Sequence, residues 1–507
     1  MYLLGYDIGS SSIKVTLLDA ETGKAVASAA SPKKELEIIA KKNGWAEQQP
    51  EVWWQNAIAA TAEIKTVLSF DPADVKAIGI SYQMHGLVVV DKNQQVLRPS
   101  IIWCDSRAVE TGSRAAKKIG PAKCLKRLLN LPGNFTASKL KWVKDNEPAI
   151  YRKIHKAMLP GDYIAMRMTG KIVTTPVGLS EGIMWDFQKQ GLAELTLNCY
   201  GISEELIPQL IPTFSIQGEL TKQSADALGL KAGTVVSYRA GDQPNNALSL
   251  NVLNPGEIAA TAGTSGVVYG ITDKPNYDKK SRVNIFVHVN HTTAAPRYGV
   301  LLCINGTGSL NRWLHHNAAD TLTYDQMNEL ANQAPAGCDG LMILPYGNGA
   351  ERTLENKNIG SLICGLNFNT HTKAHLLRAA QEGIVFSLNY GVEIMRQMGV
   401  NPVRNPVSNG VKVKTVRAGY ANMFLSPLFA KVFATVTGYV VELYNTDGSQ
   451  GAARGAGIGA GIYKNHKEAY VGLDKKYTVE PDRKLAAAYD RIYENWKNIL
   501  KCELKKD

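Results

Sequence analysis

The stretch that decides the fold is "YDIGSSSIKVTLLD", Tyr6 to Asp19, close to the start of the 507-residue chain. An apolar run leads into Asp7, a glycine and three serines follow, and the alternation of apolar and polar residues then resumes. Alternation with a period of two predicts strands, and a glycine–serine cluster between strands predicts a tight turn. The stretch therefore predicts a β-hairpin whose hydroxyl-rich turn follows a carboxylate.

A second stretch of the same kind, "AATAGTSGVVYGITD", lies at Ala259 to Asp273. Aligned on their turns, residues 263–266 take the place of residues 9–12, and β-branched residues and an aspartate follow each turn. We interpret the pair as a duplication, with one hairpin in each half of the chain and both facing one cleft. Mixed strands and helices favour α/β layers, and the length predicts two large domains.

The two turns have the composition of a polyphosphate site. Glycine, serine and threonine after a strand supply converging backbone N–H groups and hydroxyls without bulky side chains. Asp7 would repel phosphate, so its expected role is to hold Mg²⁺ against it, although capping the turn is an equal alternative for Asp7 alone. Lys14 adds positive charge or is simply solvated. Neither turn is a Walker A loop.

A third element, "YRAGDQPNNALS", places Asp242 directly after the predicted strand "GTVVSYRA". A carboxylate at the end of a strand can accept the proton of an attacking hydroxyl, which is one of the few chemical tasks of a protein in phosphoryl transfer. The alternative is an aspartate that caps the following helix. The formal GxGxxA pattern in "RGAGIGAGIY", Arg454 to Tyr463, lacks a βαβ context, and we interpret it as close packing of a helix through small residues.

Composition limits the partners. The net charge is +12 with a pI of about 9.1, which suits an anionic substrate, but the basic residues form no concentrated stripe, so no nucleic acid is expected. Seven scattered cysteines without CxxC indicate reduced thiols. No signal peptide and no apolar run of ~18 residues is found. We therefore expect a cytoplasmic protein without a membrane partner.

Together these segments resemble the FGGY carbohydrate kinases, within the group that shares the actin/hexokinase nucleotide fold. Further matching segments are "GWAEQQPEVWWQNA" (44–57), "SYQMHGLVVVD" (81–91), "RPSIIWCDSRA" (98–108), "FTASKLKWVKDNEP" (135–148) and "GSLICGLNFNTHTKAHLLRAAQEGI" (360–384). The resemblance implies an α/β fold with two actin/hexokinase-like (ribonuclease H-like) domains and a nucleotide/sugar cleft between them. Their predicted bounds are 1–244, with the sugar side and first phosphate loop, and 245–507, with the second phosphate loop and adenosine site.

The resemblance also implies roles for individual residues, with ATP and Mg²⁺ as cofactors. Asp242 would be the catalytic base, and Asp7 would be catalytic through Mg²⁺. The residues implied in nucleotide binding are Gly9, Ser10, Ser12, Lys14, Gly263, Thr264, Ser265, Gly306, Gly419 and Asn422. The residues implied in sugar binding are Met84, His85, Trp103, Asp105, Asp242 and Gln243.

Two positions depart from the family pattern. In the adenosine loop "VRAGYANMFLSPLF" only Gly419 stands where the family usually has two or three glycines. In the C-terminal signature Gln381 stands where an aliphatic residue is usual.

The loop "SYQMHG" resembles most that of the xylulokinase branch, in which Met-His contacts the sugar. The expected reaction is transfer of the γ-phosphoryl group of Mg-ATP to a ketopentose, with D-xylulose giving its 5-phosphate. The alternatives are L-ribulose, L-fuculose or gluconate as acceptor, a chaperone-like or filament-forming ATPase of the same fold, and a sugar-binding regulator without catalysis. A homodimer is left open.

Overall fold

The computed structural model describes residues 1–402, 404–406 and 412–506. The chain forms two compact units. The first comprises Met1–Asn251, Phe286–Tyr298 and Thr446–Leu473, and the second comprises Val252–Ile285, Gly299–Asn445 and Asp474–Asp507. Two later segments thus belong to the first unit, and the domain bounds 1–244 and 245–507 stay a prediction.

The first 251 residues contain both strands and helices. The strands there are β1 (Tyr2–Ile8), β2 (Ile13–Asp19), β3 (Ala25–Ser31), β4 (Glu47–Gln48), β5 (Val75–Tyr82), β6 (Val88–Val90), β7 (Ser100–Ile101), β8 (Lys156–Met158), β9 (Val173–Thr174), β10 (Trp185–Asp186), β11 (Gly191–Leu192), β12 (Gln209–Leu210), β13 (Phe214–Glu219) and β14 (Val235–Gly241). The helices are α1 (Pro50–Val67), α2 (Val109–Ile119), α3 (Pro121–Leu128), α4 (Thr136–Asn146), α5 (Pro148–Tyr151), α6 (Pro160–Thr169), α7 (Pro176–Glu181), α8 (Glu194–Tyr200), α9 (Lys222–Leu228) and α10 (Asp242–Ser249).

The later part of the chain repeats this mixture. Its strands are β15 (Ile258–Ala262), β16 (Gly266–Thr272), β17 (Asn284–Val287), β18 (Tyr298–Ile304), β19 (Met342–Tyr346), β20 (Gly360–Cys364), β21 (Arg404–Pro406), β22 (Lys412–Gly419), β23 (Val440–Tyr444) and β24 (Lys475–Val479). Its helices are α11 (Gly308–Ala318), α12 (Tyr324–Ala331), α13 (Lys373–Gln397), α14 (Pro427–Thr437), α15 (Gly448–Gly459), α16 (His466–Ala469) and α17 (Ala486–Glu503).

The main sheets of the two units have the same strand order. In the first unit the order is β13-β14-β5-β1-β2-β3; β1 runs antiparallel to β2 and parallel to β5, and β5 runs parallel to β14. In the second unit β18, β16, β15, β22, β23 and β24 follow one another; β15 is antiparallel to β16 and parallel to β22, which is parallel to β23. The predicted duplication of an α/β domain around two hairpins is confirmed.

The sheet of the first unit is covered on both faces. Leu4, Tyr6 and Ile8 of β1 join the core that contains Trp53 of α1, whereas Leu3 joins the core that contains Ala453 of α15. Alternate residues of a strand point to opposite faces, so α1 and α15 lie on opposite sides of β1.

Helix α15 packs very closely on the central strands. A Cβ on Gly5 of β1 would lie 1.9 Å from the Ser449 carbonyl oxygen, and one on Gly79 of β5 would lie 2.0 Å from that of Ala452. The predicted close packing of the glycine-rich helix through small residues is confirmed. Within the described residues, none of the helices combines the length and apolar character that a membrane span requires.

Candidate active site

The first turn is closed by Gly9, whose N–H donates to the Ser12 carbonyl at 3.1 Å. The Gln48 side chain stabilises this turn. Its Nε2 donates to the Ser10 carbonyl at 2.7 Å, and its Oε1 accepts from Trp53 Nε1 at 3.0 Å. The glutamine and tryptophan of the "EQQPEVWW" motif therefore support the turn. A turn fixed in this way keeps its backbone N–H groups and hydroxyls in place for an anion.

Asp7 lies half-buried beside this turn, opposite Ser81 of β5 in the parallel register. Burial raises the pKa of Asp7 to about 6, and the negative charge of Asp447 adds to the shift. A Cβ on Gly448, the first residue of α15, would lie 2.3 Å from Asp7 Oδ2. The helix thus begins directly against the carboxylate, and this position requires glycine.

Lys14 pairs with Asp7 in the hairpin register, and its ammonium group forms an ion pair with Asp447. Asp447 is the N-cap of α15 and accepts the Gln450 N–H at 3.0 Å. The pKa of Asp447 is lowered although burial acts in the opposite sense, because Lys14 and several hydrogen bonds favour the carboxylate. The structure thus gives Lys14 a partner within the protein, and its predicted contact with nucleotide stays a prediction.

Asp242 follows β14 directly and is the first residue of α10. The pKa of Asp242 is raised to about 7, first by burial and then by the negative charge of Asp7, while hydrogen bonding from Gln243 opposes the shift. Asp242 as a whole is partly exposed. A carboxylate in this state can exchange a proton near neutral pH.

The predicted sugar residue Met84 lies against the residue that precedes Asp242. A Cβ on Gly241 would be 2.6 Å from Met84 Cγ and 2.8 Å from Glu181 Oε2. The fully buried Glu181 was missed in the sequence because it lies in a stretch without a recognised motif. Burial raises the pKa of Glu181 well above its usual range, and the charge of Asp242 adds to the shift.

His85 is held in a left-handed backbone conformation, with φ of 62°. Its Nδ1 donates to the Glu181 carbonyl at 3.0 Å, so the neutral ring has an acceptor nitrogen at Nε2. Its ring packs edge-on against Phe135 at 4.8 Å between centroids. The buried ammonium group of Lys139 donates to the His85 carbonyl at 2.8 Å and to the Ile102 carbonyl at 2.9 Å, and so joins the two predicted sugar loops.

The other predicted sugar residues differ in environment. Trp103 is 41% exposed, and its Nε1 donates to Ser10 Oγ at 3.2 Å, which links the sugar loop to the first turn. Asp105 is fully buried and paired with Arg107 at 2.7 Å, and it also accepts the Ala46 N–H at 2.6 Å. These contacts form a network within the protein, and the expected sugar contact of Asp105 stays a prediction.

In the second unit the turn of residues 263–265 lies on the first turn of α11. Gly308 N–H donates to the Gly263 carbonyl at 3.0 Å, and Ser309 N–H donates to that of Thr264 at 3.2 Å. A Cβ on Gly263 would lie 3.5 Å from Asn422 Nδ2.

A cavity of about 360 Å³ opens at this turn. It is lined by Gly263, Thr264 and Asn422 of the predicted nucleotide set, and also by Asn328 and by residues 423–426 without Phe424. Ser265, Gly306 and Gly419 are not among the lining residues. A Cβ on Gly306 would lie 1.5 Å from the Pro345 carbonyl oxygen, so packing on β19 alone requires glycine there.

The chain is similar to proteins of known family over nearly its whole length. Models of the N-terminal and C-terminal domains of the FGGY family of carbohydrate kinases match residues 2–249 and 258–462. The chain is 30% identical over 505 residues to the xylulose kinase of Bacillus subtilis, covering 98% of this chain and 96% of that protein. It is 30% identical over 508 residues to the xylulose kinase of Escherichia coli, covering 98% of each.

Solved structures share the fold over nearly the whole chain. The xylulose kinase of Rhodospirillum rubrum superposes with a TM-score of 0.84 at 25% identity, covering 99% of both chains. The glycerol kinase of Plasmodium falciparum, solved with ADP, has a TM-score of 0.84 at 20% identity, covering 99% of this chain and 98% of its own. These likenesses, together with the two matching sheets, establish the two-domain α/β fold.

Proposed function

Because the chain belongs to the FGGY family of carbohydrate kinases, we propose that it transfers the γ-phosphoryl group of ATP to D-xylulose, giving D-xylulose 5-phosphate. The relatives at 30% identity are xylulose kinases, which supports a ketopentose as acceptor. The observation that carries the proposal is the contact at Gly241. There the Met84 side chain of the predicted sugar loop occupies the space beside the residue that precedes Asp242.

Asp242 acts as the general base in this proposal. Its carboxylate takes the proton of the sugar hydroxyl while the hydroxyl oxygen forms a bond to the γ-phosphorus. The bond between that phosphorus and the bridging oxygen breaks, and its electron pair leaves with ADP. A pKa of about 7 gives Asp242 a base strength suited to neutral pH.

His85 and Trp103 orient the sugar. The Nε2 acceptor of His85 can receive a hydrogen bond from a sugar hydroxyl, since Nδ1 carries the ring proton. Trp103 offers an exposed indole whose N–H contacts Ser10, so a sugar lying on it would be next to the first turn. Aromatic faces of this kind suit the C–H surfaces of sugars.

Asp7 is suited to bind Mg²⁺ together with phosphate oxygens. Within the described residues no three His, Cys, Asp or Glu side chains are grouped to hold a metal. Mg²⁺ in phosphoryl-transfer sites needs only one or two carboxylates besides water and phosphate, so a single half-buried Asp7 fits. When bound, Mg²⁺ would neutralise charge on the phosphates.

Each turn is suited to bind phosphate in this proposal, and the 360 Å³ cavity beside the second turn is suited to bind the adenosine. Gly9 and Gly263 have no side chain that would keep a phosphate group away from the backbone. Ser10, Ser12 and Thr264 offer hydroxyl donors. Beside the second turn, Asn422 and the apolar side chains of Met423 and Leu425 suit a nucleoside.

The test is ADP release measured with each member of a panel of ketoses, polyols and sugar acids. We expect D-xylulose to give the highest kcat/KM and release without sugar to be slow. A higher kcat/KM with L-ribulose, L-fuculose or gluconate would show that this compound is the preferred acceptor, while the type of reaction would be as proposed. Rapid release that no sugar accelerates would contradict a sugar kinase and favour an ATPase of the same fold.

A further inference from the structure

Gln381, which the sequence analysis identifies as a departure from the family pattern, is buried at 2% exposure. It lies within α13 and joins two other elements. Its Nε2 donates to Asn328 Oδ1 of α12 at 3.0 Å, and its Oε1 accepts from Ser426 Oγ at 2.9 Å. Both partners line the 360 Å³ cavity, whereas Gln381 itself does not.

The direction of these hydrogen bonds follows from the number of protons that each group can donate. Ser426 is the N-cap of α14, and its Oγ accepts the Phe429 N–H at 3.2 Å. A hydroxyl has one proton to donate, and here it goes to Gln381 Oε1. The Gln381 amide group then turns its NH₂ towards Asn328, whose Oδ1 is the acceptor.

The half-buried Asn328 amide therefore has its oxygen engaged inside the protein. Its Nδ2 can donate to a ligand in the cavity that Asn328 lines. The wall formed by Asn328, Met423 and Leu425 thus combines apolar surface with one oriented donor, which is the chemistry that recognises a flat heterocycle.

We infer that Gln381 is a positioning residue that fixes Asn328 so that its Nδ2–H donates to a ring nitrogen of the nucleobase. The inference rests on the proposed function, since it takes this cavity as the adenosine site. Adenine carries unprotonated ring nitrogens at positions 1, 3 and 7, and each of them can accept a hydrogen bond from a side-chain donor.

The test uses the full-length protein and isothermal titration with ADP and with 1-deaza-, 3-deaza- and 7-deaza-ADP. In the wild type we expect one analogue to bind about tenfold more weakly than ADP, as for loss of one hydrogen bond. Asn328→Ala should bind ADP about tenfold more weakly and no longer distinguish that analogue. Gln381→Leu, which restores an aliphatic residue, should lose the distinction as well.

Gln381→Glu keeps the size of the side chain and removes its N–H donors, so it tests the hydrogen bond apart from the packing. The carboxylate has no N–H to donate, so Asn328 must turn its NH₂ towards it and its oxygen towards the cavity. We expect this variant also to lose the distinction between ADP and the analogue. Ser387→Ala is the matched control on α13, because Ser387 is buried and donates only within its own helix, to the Ile384 carbonyl at 2.8 Å. It should behave as wild type.

Several outcomes overturn the inference. It fails if the wild type distinguishes none of the analogues, or if the distinction persists in folded Asn328→Ala or in folded Gln381 variants, with folding checked by thermal unfolding. Sugar-dependent ADP release by the same wild-type sample separates the two proposals. If the wild type is active with sugar but the variants still distinguish ADP from the analogue, only the inference about Gln381 is contradicted. If the wild type shows no sugar-dependent ADP release but the variants lose the distinction as expected, only the proposed sugar kinase activity is contradicted.

Discussion

Asp7 lies on β1 and Asp242 directly follows β14, and these two strands are the neighbours of β5, which carries Ser81. Asp7 is the register partner of Ser81 on β1, and Asp242 comes two residues after Ala240, its partner on β14. The two carboxyl groups interact, since the charge of Asp7 adds to burial in raising the pKa of Asp242. The sheet of the first unit thus brings Asp7, the proposed cation ligand, and Asp242, the proposed base, to the carboxyl end of parallel strands, where α/β folds bind their ligands.

Asp242→Asn should lower kcat by roughly 10²–10⁴-fold, because the amide cannot accept the hydroxyl proton. ADP affinity, measured by titration, should stay near the wild-type value. Asp226→Asn, an exposed change on α9, is the control and should keep full activity. Turnover near the wild-type rate in Asp242→Asn would contradict the assignment of the base.

The same substitution should stabilise the protein at high pH. The folded pKa of Asp242 is about 7 and lies above the unfolded value, so the folded state binds more protons between about pH 4 and pH 7. The wild type therefore loses stability as pH rises through this window. Asp242→Asn lacks this loss, and its free energy of unfolding at pH 8 should exceed that of the wild type by at most about 4 kcal/mol.

Urea unfolding at pH 4 and pH 8 measures this difference. At pH 4 both side chains are neutral in the folded state, so the advantage of Asp242→Asn should shrink to near zero. An advantage of equal size at both pH values would show that the carboxylate charge is not its source.

Local sequence signals predicted the elements that depend on near neighbours. The hairpin of β1 and β2 occurs as predicted, and helix α1, which begins at Pro50, and helix α13, which lies between Thr372 and Gly399, carry local signals of the same kind. Their signals, which are alternation, proline at the first turn and glycine after the last, are set by backbone geometry within a few residues.

Contacts between distant segments were not predictable in this way. Lys14 pairs with Asp447, which is 433 residues away, because α15 returns to the sheet of the first unit. Neither the ion pair nor the approach of Gly448 to Asp7 has a local signal. The ion pair of Asp105 with Arg107 was likewise not predicted, and the sugar contact expected of Asp105 stays a prediction.

Gly448→Ala tests this long-range support of Asp7. The new Cβ would lie 2.3 Å from Asp7 Oδ2, so the carboxylate must move. We expect kcat to fall by at least tenfold, together with a higher Mg²⁺ concentration for half-maximal activity. Gly191→Ala is the control, because a Cβ there would meet no atom closer than 3.9 Å. Wild-type Mg²⁺ dependence in Gly448→Ala would contradict the role of Asp7 as a cation ligand.

Lys139→Met tests the support of the sugar loop. Lys139 donates to the carbonyls of His85 and Ile102, and without it the left-handed conformation of His85 loses a partner. We expect KM for the sugar to rise about tenfold or more, as for hydrogen bonds from a charged group, while ADP affinity is unchanged. Lys141→Met, on the same helix with its surface partner Asp145, should leave both unchanged.

The pH dependence of stability gives Lys139→Met a second readout. Burial lowers the pKa of Lys139 to about 7, below its unfolded value, so the unfolded state binds more protons between about pH 7 and pH 10. Wild-type stability should therefore rise with pH across this window, and the rise should be smaller in Lys139→Met. If Lys139 only fills space, its replacement should leave the KM for the sugar unchanged. An unchanged KM in Lys139→Met would therefore contradict a role of Lys139 in supporting the sugar loop.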